Sequence, residues 1–185
     1  MEVKVITDVS VEPVTLTEIK NFCRIDADYA AEDDVLLLTA GAAREKLEKQ
    51  LNLSFAEKTL MLQFDGFPID IPYGPIREIE SLISSTDTED PPIEVEYTAD
   101  GLDFKCLYVN AVNQCVIIYP VGYGSTSSAY NLTYTVGYET LPKALKQALL
   151  LQIDFDIKNQ GMAMDDISPL ALEKAEPYSK NLTIQ

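Results

Sequence analysis

The spacing of apolar residues changes twice along this chain, from a helical period to a period of two and back again. The helical period holds from about residue 14 to 53 and returns after about residue 138. Between these blocks apolar and polar residues alternate, which is typical of strands in a half-buried antiparallel sheet. This order predicts an α+β fold, in which a small bundle of about four helices carries an antiparallel β barrel or sandwich between helices two and three. We expect a helical core of residues 1–54 plus 138–185 and a β-rich insertion of residues 55–137.

Local signals mark where three of the helices start. Thr15 and Glu18 have the spacing of a capping box, in which each side chain accepts a hydrogen bond from the other residue's backbone. Pro142 suits the first position of the third helix, where its missing N–H costs no hydrogen bond. Ser168-Pro169 predicts the cap and first residue of a short fourth helix. The apolar residues of that helix are Leu170 and Leu172.

The second helix is the longest and begins near residue 31. Acidic residues occupy its first turn and basic residues follow towards its end, so its charges complement the helix dipole. Its main apolar stripe consists of Leu36, Ala40, Ala43, Leu47 and Leu51. The residues that widen this stripe are Val35, Leu38 and Ala42. A stripe of this width predicts that the helix contacts neighbours on two sides.

In two predicted strands of the β block, the alternation of apolar and polar residues predicts which face is buried. One apolar set is Leu60, Leu62 and Phe64, and the other is Tyr130, Leu132, Tyr134 and Val136. Asn131, Thr133 and Thr135 lie on the opposite face of the second strand. Turn residues separate these strands from further short ones, which is the pattern of an antiparallel sheet curled into a small barrel or sandwich.

The charge balance limits the partners that this chain can have. Acidic residues number 30 and basic residues 14 among 185, so the formal net charge is −16. Such a surface repels phosphate, which argues against an ordinary nucleic-acid reader but not against a surface past which DNA slides. The chain shows neither a long apolar run nor a signal-peptide pattern, so we expect a cytosolic protein without membrane contact.

The sequence gives no sign of catalytic chemistry. It contains no histidine, the commonest general base and metal ligand. Asp154 and Asp156 lie two apart on a helix and therefore point in different directions. The Gly122–Ser128 stretch lacks the lysine and the following helix of a phosphate-binding loop. We therefore expect no enzyme, no metal site and no cofactor, and we interpret Cys23, Cys106 and Cys115 as reduced thiols.

Three segments, taken in order, resemble the head–tail connector (adaptor) proteins of long-tailed bacteriophages. Val14 to Asp26 is similar to the family's opening "sLeeaKahLRid". Glu32 to Lys49 resembles its "eDdlLllliaAreylEkylnr" segment, and Tyr134 to Leu151 its "yvaGyetlPealkqAillLvah" segment. One departure is the segment from Asp154 to Gly161, which lacks the arginine of the family's "yenRe" ending, so any contact made by that arginine is in doubt here.

This resemblance implies a structural virion protein, made in the host bacterial cytoplasm and located at the head–tail junction. Such adaptors form a ring of about a dozen copies under the portal protein. The ring extends the DNA channel and joins the capsid to a stopper or tail-completion protein. DNA would pass through an acidic lumen without sequence-specific binding.

Candidate contact residues follow from the same implied role. Arg44 and Glu48 are four apart and form either an intrahelical pair or, for Arg44, a bridge across the ring to Asp33 or Asp34. The candidates for a loosely held portal-docking tail are Pro177, Tyr178, Leu182 and Ile184. The candidates for loops facing the tail are Asp87, Glu89, Asp90, Tyr123 and Ser125.

Three other functions are compatible with parts of this pattern. A different neck or tail-completion ring protein would share the ring habit. An acidic DNA mimic would share the charge but predicts a monomer or dimer with carboxylates at phosphate-like spacing. A magnesium-dependent hydrolase predicts that divalent cations change the stability of the protein.

Overall fold

The computed structural model describes residues 2–65, 69–85, 93–95, 104–108, 115–120, 129–159 and 166–179. These residues form two compact units. A β unit contains the described residues of Met1–Val9 and Glu57–Gly137. A helical unit contains those of Ser10–Ala56 and Tyr138–Asn181. Within the described residues no helix is long and apolar enough to cross a membrane.

The helical unit contains the four helices that the sequence predicts. They are α1 (Leu16–Cys23), α2 (Asp33–Leu51), α3 (Lys143–Lys158) and α4 (Pro169–Ala175), and a 3-10 turn (Glu176–Tyr178) follows α4. The predicted capping box is present, because Thr15 N–H donates to Glu18 Oε2 over 2.9 Å and Glu18 N–H donates to Thr15 Oγ1 over 3.3 Å. Ser168 caps α4 through the N–H of Ala171, as predicted. Pro142 is not the first residue of α3 but lies one position before it, where its carbonyl accepts from Lys146 N–H.

The core of the helical unit is built from one face of each main helix. Residues of α2 and α3 that are at most 3% exposed are Leu36, Ala40, Ala43, Leu47, Leu51, Leu145, Ala148, Leu149 and Ile153. On α4 the buried residues are Ala171 and Ala175, whereas Leu170 is 60% exposed. Leu170, one of the two apolar residues that the sequence gives this helix, therefore lies outside the core. Residues four apart share a helix face, so the helix presents its two alanines to the core instead.

The β unit contains eight strands. They are β1 (Glu2–Thr7), β2 (Lys58–Asp65), β3 (Ile69–Asp70), β4 (Ile76–Ser85), β5 (Ile93–Val95), β6 (Phe104–Tyr108), β7 (Cys115–Pro120) and β8 (Ala129–Val136). One antiparallel sheet has the order β1-β2-β8-β4-β5, and a second has the order β3-β7-β6.

This arrangement confirms the α+β class, but the larger sheet is not closed into a barrel. Its edge strands are β1 and β5, which do not pair with each other. We had assigned the first residues to the helical core, yet Glu2–Thr7 pairs with β2. Strands β6 and β7 are neighbours, with Cys115 opposite Tyr108 and Cys106 opposite Ile117.

The alternating residues of β2 and β8 form the core of the larger sheet, as predicted. Leu62 pairs with Leu132, and Leu60 with Tyr134, so the apolar faces of the two strands coincide. The rings of Phe64 and Tyr130 stack with centroids 5.5 Å apart. Tyr134 is fully buried and its hydroxyl donates to Pro72 O over 3.2 Å, and burial raises the pKa of this hydroxyl well above its usual range.

We expect Leu132→Ala to lower the free energy of unfolding by about 2–5 kcal/mol, because it removes a fully buried side chain from the central strand. Urea denaturation followed by far-UV circular dichroism measures this change. The control is Thr133→Ala on the opposite, half-buried face of β8, which should cost less than about 1 kcal/mol. Equal losses in the two variants would contradict the assigned faces.

Candidate protein-contact surface of the helical unit

Helix α2 has two apolar faces that differ sharply in exposure. The inner face is the core stripe from Leu36 to Leu51, at most 3% exposed. The second face, here called the outer stripe, consists of Val35, Leu38 and Ala42. Val35 is 50% exposed, Leu38 is 75% exposed, and Ala42 is half-buried.

The outer stripe lies on the side of α2 roughly opposite the core. Steps of three and four residues return to nearly the same direction on a helix, so its three members form one line. Glu45 and Lys49 continue this line by the same steps, and both are exposed. The sequence predicts that α2 contacts neighbours on two sides, and the described residues of the chain cover only one of them.

Arg44 and Glu48 form the intrahelical pair that the sequence suggests, and they do so inside the core. Arg44 is 3% exposed and Glu48 is 2% exposed. Arg44 Nη1 lies 3.0 Å from Glu48 Oε2, and its Nε donates to Glu12 Oε2 over 3.0 Å. Glu48 Oε1 accepts from Phe55 N–H over 2.6 Å. This network therefore connects α2 to the segments that precede α1 and follow α2.

A bridge from Arg44 to a neighbouring subunit stays a prediction, but the burial of this side chain favours the internal role. The two acidic candidates differ from each other. Asp33 Oδ1 lies 2.6 Å from the ammonium of Lys20, which is buried and also donates to Tyr29 O over 2.8 Å. Asp34 is exposed. Asp33 therefore holds the loop between α1 and α2, and Asp34 is the acid at the start of α2 that faces solvent.

The carboxylates of α3 also have internal partners. Asp156 accepts from Lys46 Nζ over 2.9 Å and from Gln152 Nε2 over 2.9 Å. Asp154 instead pairs with Lys158 over 2.6 Å. The two carboxylates thus point in different directions, as their spacing predicts, and each belongs to an ion pair rather than to a shared site.

The fully buried Gln152 links α3 to α4. Its Nε2 donates to Asp166 O over 3.3 Å, and its Oε1 accepts from Ser168 N–H over 2.8 Å. This amide therefore anchors the residue that caps α4.

The described residues offer binding surfaces rather than reactive groups. No group of three or more Cys, Asp or Glu side chains in the described part of the chain is arranged to hold a metal ion. Burial raises the pKa of the Cys23 thiol to about 11, and the nearby Asp154 carboxylate contributes, so this thiol stays protonated and unreactive at neutral pH.

Ion pairs within the helical unit engage many of its basic side chains. The basic side chains that face carboxylates of the same unit are those of Lys20, Arg44, Lys46, Lys146 and Lys158. The exposed acidic residues around the α1–α2 loop are Asp26, Asp28, Glu32 and Asp34. With many of its bases paired internally, this unit has few cations left for a phosphate backbone.

The remaining candidates fall into two groups. Pro177 and Tyr178 lie in the 3-10 turn directly after α4, so this part of the chain is not the loose tail that we expected. Tyr138 lies near Tyr178, and burial raises the pKa of the Tyr138 hydroxyl. The candidates outside the described residues are Leu182, Ile184, Asp87, Glu89, Asp90, Tyr123 and Ser125.

Sequence reasoning found the outer stripe but missed the partners of the buried charges. Glu12 and Arg44 are separated by 32 positions, so no local spacing relates them. The sequence does not mark Lys20 as a buried charge, because it is only a polar residue between the apolar positions of α1. The one available signal was that Arg44 and Glu48 lie on the same side of α2 as the core stripe.

Comparison with known proteins identifies relatives for both units. A family model described as "Phage gp6-like head-tail connector protein" matches residues 13–98. Comparison with curated proteins found no match.

Three similar solved structures come from gene transfer agent (GTA) particles. The neck of an empty particle with C6 symmetry contains a chain that matches with a TM-score of 0.77 at 16% identity. A chain from the virion of a native particle matches with a TM-score of 0.74 at 16% identity. A chain from the neck of a native particle with C12 symmetry matches with a TM-score of 0.72 at 14% identity. Each match covers 100% of this chain and 98% of the other. At these identities the similarity shows a common fold.

We expect Arg44→Met to lower the free energy of unfolding by about 3–5 kcal/mol, because the carboxylate of Glu48 stays buried without its cation. The double variant Arg44→Met with Glu48→Gln should recover part of this loss, since glutamine still accepts from Phe55 N–H. Chemical denaturation of the single and double variants measures the coupling. Additive losses would contradict a buried pair.

We expect the contribution of Glu18 to stability to depend on pH. Lys146 Nζ, 2.6 Å from Glu18 Oε1, lowers the pKa of this carboxyl from 4.5 to about 2, with help from Thr15. Because the folded pKa lies below the unfolded one, the stabilisation is complete above about pH 5 and is lost as the pH falls towards 2. The pair is more than one-third exposed, so its contribution should stay below about 1 kcal/mol.

Glu18→Gln tests this pH dependence, because glutamine keeps the capping box but not the charge. The difference in unfolding free energy between the natural protein and the variant should shrink between pH 5 and pH 2. A difference that is constant over this range would contradict the lowered pKa. Lys146→Met should reduce the same difference, and the part that remains comes from Thr15.

Proposed function

We propose that this chain is a structural protein of the head–tail junction of a phage-like particle, where it joins capsid to tail, because a phage gp6-like head–tail connector model matches residues 13–98. The observation that carries this proposal is the agreement of two comparisons. The family model covers residues 13–98, which include α1 and α2. The fold of the whole chain matches chains from particle necks and a virion with TM-scores of 0.72 to 0.77.

The connector acts as a ring of about a dozen copies beneath the portal protein. The particle necks with similar chains have C6 and C12 symmetry, which supports a cyclic assembly. In a cyclic ring each subunit uses two different faces, because the contact is head-to-tail. An apolar stripe on α2 that is exposed among the described residues agrees with this requirement.

The ring extends the DNA channel and passes DNA without holding it. The net charge of −16 and the internal ion pairs of Lys20, Lys46 and Lys146 support this role, because they leave few cations for phosphate contacts. DNA that must move through a channel in both packaging and ejection requires a lining without phosphate-binding sites.

The chain works by binding rather than by catalysis. The match to a structural connector family supports a non-enzymatic role. The protonated Cys23 thiol and the paired carboxylates of α3 agree with this, since neither provides a nucleophile or a shared acid–base pair. Its partners are neighbouring copies, the portal protein and a stopper or tail-completion protein.

The test is to measure the mass of the natural protein by light scattering after size exclusion, alone and with the portal protein of the same particle. We expect rings of about a dozen subunits, either free or only on the portal, visible by negative-stain electron microscopy. A monomer that does not bind the portal would contradict the connector function and would favour an acidic inhibitor. A matched control is the portal protein alone, which must lack the additional ring.

A further inference from the structure

The outer stripe of α2 is an apolar surface that the described residues of the chain leave exposed. Val35 and Leu38 are 50% and 75% exposed, although they lie on the longest helix of the chain. Another exposed apolar residue, Leu37, lies on the same helix and is 43% exposed, whereas Val11 and Leu170 belong to different segments. Leu38 and Val35 instead share a helix face with Ala42, so they form a continuous strip that the internal packing does not explain.

We infer that the outer stripe is the face through which α2 contacts a second copy of this chain. This inference rests on the proposed function and names the contact on which the ring depends. The similar chains come from particle necks of C6 and C12 symmetry, in which identical subunits repeat around an axis. A face that is apolar on every subunit then meets the same neighbouring surface at every position of the ring.

The charges along α2 support a protein neighbour rather than DNA or a membrane. Asp34 flanks the stripe at its start, and Glu45 continues it. These exposed carboxylates repel phosphate backbones and anionic lipid headgroups. In a head-to-tail ring the second copy presents a different face to this stripe, and exposed bases of that copy outside α2, such as Lys143 and Lys174, supply a counter-charge.

The earlier candidate for the cation at this contact was Arg44, and the structure argues for a different residue. Arg44 is buried on the core side of α2 and binds Glu12 and Glu48. Lys49 lies on the outer side and is exposed. The contact therefore combines Leu38 and Val35 with exposed charges, while the buried pair keeps α2 in place.

The experiment compares Leu38→Glu with Leu170→Glu, which introduce the same charge on different helices, and adds the uncharged variant Leu38→Gln. Leu38→Glu should weaken assembly by at least about tenfold in subunit concentration, because it places a carboxylate in a contact that must exclude water. Leu38→Gln, which is uncharged, should weaken it in the same direction. Leu170→Glu on α4 is the matched control, since Leu170 is 60% exposed, and it should assemble like the natural protein.

Assembly is measured by light scattering alone and by the number of subunits bound per portal ring. Circular dichroism and thermal unfolding should show that all variants stay folded, because the substituted leucines are exposed. Unchanged assembly of both Leu38 variants would overturn the inference while leaving the connector function intact. Equal loss in Leu170→Glu would also overturn it, since the effect would then come from added charge. Failure of the natural protein to assemble, with or without the portal, would contradict the proposed function itself.

Discussion

The buried pair of Arg44 and Glu48 is the interaction on which the helical unit depends. Both side chains lie among apolar residues, so neither charge is tolerable without the other. Together they also bind Glu12, before α1, and the backbone of Phe55, after α2. A network with this many defined partners fixes the rotation of α2 about its own axis. That rotation determines which residues of the helix face the core and which face outward.

The outer stripe is a direct consequence of this fixed rotation. If α2 turned to bury Leu38, Arg44 and Glu48 would lose their bonds to Glu12 and to the backbone of Phe55, and the core stripe of α2 would become exposed. That loss is larger than the gain from burying one leucine. The apolar side chains of Val35 and Leu38 therefore stay at the surface of the isolated chain. In a connector the same constraint is useful, because it presents a rigid apolar face that needs no rearrangement before contact.

Local patterns predicted the elements well, and long-range partners account for what they could not predict. Thr15 and Glu18 lie one helical turn apart, so their capping box could be read from spacing alone. The alternation around Leu132 likewise gave the buried face of β8. The pairing of β1 with β2 and the bond between Glu12 and Arg44 join residues far apart in sequence, and no period encodes them. The edges of the sheet depend on such pairings, so local spacing left a barrel and a sandwich as alternatives, and the described strands form a sheet that is not closed into a barrel.

The strong negative charge of the chain explains why an exposed leucine is useful on its surface. Identical subunits of net charge −16 repel one another, and many of the cations that could bridge them, such as Lys20, Lys46 and Lys146, already face carboxylates of their own chain. Ion pairs alone are therefore a poor source of cohesion between copies. Burial of apolar surface is insensitive to the sign of the charge and supplies that cohesion instead. In the proposed ring, where an acidic protein assembles with itself and releases DNA, the outer stripe provides an apolar contact of this kind.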